Sequence, residues 1–115
     1  MTDAPDLAAA EVALRALERE LSEALASSRA HEPVELDQQA FGRVSRIDAI
    51  QQQQMAQAAR RAQTLRLSQV RAALEAIEND EYGVCRLCEE PIAAARLRAR
   101  PESPLCLDCQ RQRER

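Results

Sequence analysis

The chain contains no lysine and no tryptophan, and among its 115 residues there are only two glycines, Gly42 and Gly83, and two aromatics, Phe41 and Tyr82. So little aromatic volume argues against a large globular core. The scarcity of glycine, beside abundant Ala, Leu, Glu, Gln and Arg, is the composition of long helices rather than sheets. Charges interrupt every apolar run in MTDAPDLAAAEVALRALERE, so the segment fits neither a signal-peptide core nor a membrane span, and a cytosolic protein is expected. All sixteen basic residues are arginine, and they stand against nineteen acidic ones for a formal net charge of -3. A chain of that balance is not a general polyanion binder, which excludes a DNA-coating role. The charge is uneven: residues 1–84 hold 9 Arg and 14 acidic residues, and residues 85–115 hold 7 Arg and 5 acidic residues.

What is present is helical periodicity. Leu7, Ala10, Leu14, Leu17, Leu21 and Ala24 alternate spacings of three and four, a heptad seam that predicts a first helix from about Asp6 to Ser28. Asp3 or Asp6, with Pro5, suits its start, and His31-Glu32-Pro33 suits its end. Residues 30–44 show no sustained period and read as a connection. Ser45 followed by Asp48 fits an N-cap with an acidic third residue, so a second helix is expected from Ser45 to about Asn79, with Gly83 as its terminator. Its apolar positions are Ile47, Ile50, Met55, Ala58, Ala62 and Leu65, then, after a phase shift, Leu67, Val70, Leu74 and Ile77. The Gln51–Gln54 run reads as a solvated face. Two helices so joined form an antiparallel hairpin with its tip at residues 30–48. The expected fold is therefore all-α: a coiled-coil helical hairpin over residues 1–80, then a C-terminal four-cysteine zinc finger with a short C-terminal helix over residues 81–115.

The only four cysteines carry the chemistry. Cys85-x2-Cys88 and Cys106-x2-Cys109 are separated by seventeen residues, and each pair wraps two thiolates onto one metal. Together they complete a tetrahedral four-sulfur shell suited to Zn²⁺. Val84, Leu87, Ile92, Leu97, Leu105 and Leu107 are too few to offset the backbone entropy of the finger, about 1–2 kcal/mol per residue. Structural zinc supplies roughly 10–16 kcal/mol in small fingers. Four thiolates leave no open coordination position, so the site reads as structural. A redox dithiol is the rival reading of a Cys-x2-Cys pair. The lone His31 reads as a solvated loop residue rather than a ligand.

Tyr82-Gly83-Val84-Cys85, Glu90-Pro91-Ile92, Arg96-Leu97-x-Ala99-Arg100-Pro101 and Leu105-Cys106-x-x-Cys109-Gln110 resemble, in type and spacing, the finger of the DksA/TraR family of bacterial zinc-finger regulators. The cysteine spacing alone also fits a GATA-type DNA-binding finger, but the flanking residues and the preceding long helix do not. The resemblance implies a non-enzymatic protein that binds RNA polymerase rather than a DNA sequence. It implies a hairpin entering the secondary channel, with the tip near the catalytic centre, and altered initiation, often together with ppGpp. At the tip the chain departs from the family's Asp-x-x-Asp-x-Ala: Ser45-x-x-Asp48 is followed at once by Ala49, and Ile50 stands where the pattern wants Ala. Only Asp48 carries over, and Asp37, Ser45 and Ala49 are the neighbouring candidate contacts. Asp48 has two readings that stay open here, helix capping and polymerase contact. Two alternatives of function also stay open: a DNA-binding finger, drawn from Arg96, Arg98, Arg100, Arg111, Arg113 and Arg115, and a channel occupant with no effect on initiation. Arg96 and Arg100 are also expected to dock the finger on the hairpin base. A monomer is expected, although Leu14, Leu17 and Leu21 equally suit a second chain.

Overall fold

The computed structural model describes residues 4–30 and 43–114, with side chains except at 28–30 and 43–45. Among the described residues there are four helices in chain order: α1 (Leu7–Ala30), α2 (Arg43–Glu78), α3 (Ala94–Ala99) and α4 (Leu107–Arg113). The fold is all-α, a helical hairpin followed by a small four-cysteine unit that ends in a short helix. Among the described residues the only β pairing is an isolated antiparallel bridge between Val84 and Pro91.

Asp6 caps α1, its carboxylate accepting from the backbone N–H of Ala9 at 3.1 Å. Such a cap contributes about 1 kcal/mol by satisfying a donor that has no intrahelical partner. Pro5 lies beside Gly83, and Glu18 of α1 faces Arg71 of α2 at 3.4 Å, so the two helices run antiparallel. Their seam buries Leu14 and Leu21 against Leu67 and Val70, with Leu17, Leu25, Ala73, Leu74, Ile77 and Tyr82 packed around them.

Three expectations need correction. The described part of α2 already includes Arg43, so Ser45 lies within the helix and is not its N-cap, and Asp48 is not at the third position. Continuing the helix adds an i to i−4 backbone bond per residue, and that gain outweighs a single side-chain cap. The helix also ends before Gly83. Asp80 takes a left-handed φ of 58°, while Glu81 N–H donates to the Ala76 carbonyl at 2.8 Å and Asp80 N–H to that of Ile77 at 3.3 Å. That paired bonding closes the C-terminus, with aspartate where glycine is commonest. Finally, the apolar positions of the N-terminal half of α2 do not join the seam: Ile47, Ile50, Met55 and Leu65 are 56%, 51%, 71% and 61% exposed. Among the described residues α2 runs over 36 residues against 24 for α1, so about 18 Å of it, at 1.5 Å per residue, has no described counterpart in α1. Leu65 does lie alongside α1, but two residues before Leu67 it points some 200° away around the helix. Residues 31–42, which hold His31, Asp37 and most of the expected tip, lie outside the described residues.

Candidate metal centre

Gly83 is the hinge into the finger. Its φ of 89° is one that side-chain-bearing residues rarely adopt, and a Cβ there would sit 3.4 Å from Pro5 Cγ and 3.5 Å from Leu97 Cδ1. Two backbone bonds then shape the first cysteine turn: Cys85 N–H donates to the Glu90 carbonyl at 2.9 Å, and Ile92 N–H to that of Gly83 at 2.8 Å. Glu89 N–H closes the turn on the Cys85 carbonyl at 3.0 Å, with Glu89 at a left-handed φ of 62°. Cys106 caps α4, its sulfur accepting from Cys109 N–H at 3.5 Å. Arg86 N–H donates to the Pro104 carbonyl at 3.0 Å and Arg96 Nε to that of Leu105 at 3.1 Å, which join the two cysteine segments. Cys85, Ile92, Leu97 and Leu105 form the finger's own small core, whereas Val84, Leu87 and Leu107 are exposed.

These contacts bring the four sulfurs within 4.8 Å of one another, with Cys88 and Cys106 at 3.7 Å. Four sulfurs at about 2.3 Å around a tetrahedral Zn²⁺ stand roughly 3.8 Å apart, so the donor set fits that ion. The electrostatics agree. Burial works to raise the Cys85 thiol, but backbone amides of Cys88, Cys106 and Leu87 outweigh it and bring Cys85 down to about 6. The hydrogen bond its thiol makes to Cys106, followed by burial and the sulfurs of Cys85 and Cys88, pushes Cys109 up to about 12. For Cys88 the amide of Glu90 pulls downward, yet burial and the neighbouring sulfurs leave it raised. Four sulfurs this close resist sharing negative charge without a cation, and a divalent metal removes the conflict.

The finger joins the hairpin through contacts the sequence did not reveal. Tyr82 packs against both cores, and its hydroxyl donates to the Pro101 carbonyl at 2.9 Å. Burial, then the charge of Glu102, raises the Tyr82 hydroxyl above its ordinary value. Glu102 is 1% exposed, and its Oε2 accepts from Arg66 Nε of α2 at 3.0 Å. Docking therefore falls to Arg66 and Glu102. Arg96 instead bonds within the finger, and Arg100 Nε stands 4.0 Å from Glu102 Oε1. No local pattern pairs two residues 36 positions apart; the one available signal was an arginine adjoining the apolar seam at Leu67. Of the candidate tip residues, Ser45, Asp48 and Ala49 lie in α2, with Asp48 exposed and Ala49 partly buried.

A helical hairpin joined to a compact four-thiolate centre defines a small C4-type zinc-finger protein with structural Zn²⁺ as its cofactor. Residues 80–115 match the prokaryotic dksA/traR C4-type zinc finger. It is 40% identical over 43 residues to the RNA polymerase-binding transcription factor DksA of Haemophilus influenzae, and 35% identical over 43 residues to that of Escherichia coli K12. Each match covers 37% of this chain, and the chain spans only 30% and 28% of those relatives. Transcription factor DksA2 from Pseudomonas aeruginosa superposes with a TM-score of 0.69 at 21% identity, over 94% of this chain and 82% of that one. The DnaK suppressor protein from Agrobacterium tumefaciens C58 gives 0.63 at 23% identity, over 96% of both. These two likenesses speak to the fold. Among the described residues no helix is long and apolar enough to cross a membrane.

Proposed function

We propose that this chain is a transcription regulator that binds RNA polymerase through the secondary channel and modulates initiation. In this reading residues 1–80 are the hairpin that enters the channel, and residues 81–115 are the finger that holds its base. The observation that carries it is a long helix bearing exposed Asp48 toward one end and ending beside a DksA/TraR-type finger, in a molecule 64 Å along its longest axis. Cys85, Cys88, Cys106 and Cys109 hold the zinc and play no catalytic part; the protein is a cytoplasmic, non-enzymatic monomer. Asp48, with Asp37, Ser45 and Ala49, forms the polymerase-contacting tip. The relatives named RNA polymerase-binding transcription factors support this reading.

Because α2 already includes Arg43, Asp48 lies beyond the first turn, where the helix dipole has largely faded, and it does not cap the helix. The zinc-loaded chain is expected to associate with the cognate polymerase on a native gel at micromolar concentration and to change transcription from a ribosomal RNA promoter, assayed with and without ppGpp. Asp48→Asn is expected to leave association in place and remove the promoter effect. Absence of association sinks the proposal, and association without any promoter effect reduces the chain to a channel occupant.

A further inference from the structure

Glu102 is an acidic side chain with none of its surface exposed, in a small finger with a sparse apolar core. Its Oε2 has one hydrogen-bonding partner, Arg66 Nε at 3.0 Å, on the far side of the junction with the hairpin. Its Oε1 has no hydrogen bond, and Arg100 Nε stands 4.0 Å from it. A buried carboxylate so thinly satisfied is tolerable only while its one ionic hydrogen bond holds. In a loosened finger it gains water on every side.

The segment that carries Glu102 has no helix or strand of its own. It is fixed by finger contacts: Tyr82 Oη on the Pro101 carbonyl, Ser103 N–H on that of Arg100 at 3.1 Å, Arg86 N–H on that of Pro104, and Arg96 Nε on that of Leu105. The next residue is the ligand Cys106. Arg66, in turn, precedes Leu67 and lies one helical turn from Val70, both buried in the hairpin seam. We propose that Arg66 and Glu102 form a latch that couples metal occupancy of the finger to the hairpin. With the four thiolates on a metal, the 101–105 segment holds Glu102 against α2. When the metal leaves, Glu102 moves into water and Arg66 loses its partner. Arg66 and Glu102 are positioning residues, acting through the segment that precedes Cys106.

Coupling of this kind is reciprocal, which makes it measurable far from the ligands. Arg66 is not a ligand and is 40% exposed, and alanine suits a helix interior, so Arg66→Ala is expected to keep α2. The test is zinc affinity of the full chain by competition with a chromophoric chelator. Arg66→Ala is expected to weaken zinc binding about tenfold, a typical coupling magnitude, with Arg66→Lys restoring most of it. In a Glu102→Gln background, where no buried charge needs a partner, Arg66→Ala is expected to change affinity by less than about twofold. Hydrogen exchange gives an independent readout. Zinc removal is expected to speed exchange in α2 near Arg66 in the wild type, and not in the Arg66→Ala/Glu102→Gln chain. Should Arg66→Ala lose helical circular dichroism, Arg66→Gln replaces it. Zinc affinity unaffected by loss of Arg66, an equal loss in both backgrounds, or α2 exchange indifferent to zinc in the wild type would each overturn the latch.

Discussion

Cys85 and Cys109 sit in one four-sulfur cluster, yet their thiols are displaced in opposite directions, to about 6 and about 12. At neutral pH Cys85 is mostly thiolate before any metal arrives, whereas Cys88 and Cys109 must give up protons on binding. Zinc affinity should therefore fall with falling pH, and fall more steeply below about 6, where Cys85 holds a further proton to be displaced. Chelator competition between about pH 5 and 8 checks this, and a flat profile would contradict it. The ligand identities were legible because Cys-x2-Cys is a local signal. The split in acidity was not, since it depends on which backbone amides point at which sulfur.

The hairpin helices are unequal in stability along their length. Leu14 is 0% exposed at the seam, whereas Leu65, which points away from the buried stripe of α2, is 61% exposed. Leu14→Ala should cost about 2–5 kcal/mol through lost burial and a residual cavity. Leu65→Ala should stay within about 0.5 kcal/mol. Urea unfolding followed by far-ultraviolet circular dichroism separates them, and equal costs would show that the exposed stripe is packed in solution. The seam from Leu14 to Leu21 was readable as a heptad pattern, and Asp6 as a cap. That α2 already includes Arg43 was not, because Ser45 and Asp48 are compatible with either the end or the interior of a helix. The helix end near Asn79 was legible, but the residue that closes it was not. Glycine is the usual left-handed residue, and here Asp80 takes that role while Gly83 serves the close approach of Pro5 and Leu97.

The molecule holds two small cores, one in the hairpin and one in the finger, and Tyr82 touches both. α3 and α4 have six and seven residues, too short to persist without the finger around them, whereas α1 and α2 have 24 and 36 and a core that contains no cysteine. Chelation of zinc should accordingly unfold the finger while most of the helical signal survives, with local loosening of α2 around Arg66. Circular dichroism with and without a strong chelator checks the first part. Complete loss of helix would mean that the hairpin does not stand without the metal.

The helical class, the hairpin, the four thiolates and their metal are all written in short-range spacing: heptads along a helix, or two cysteines a turn apart. Which apolar positions of α2 are buried, how the finger sits on the hairpin, and the burial of Glu102 as an ion-pair partner emerged only in the packed fold. The cause is distance along the chain. Burial and ion pairing depend on what packs alongside, and Arg66 meets Glu102 only after the chain has passed through α2, the first cysteine turn and α3.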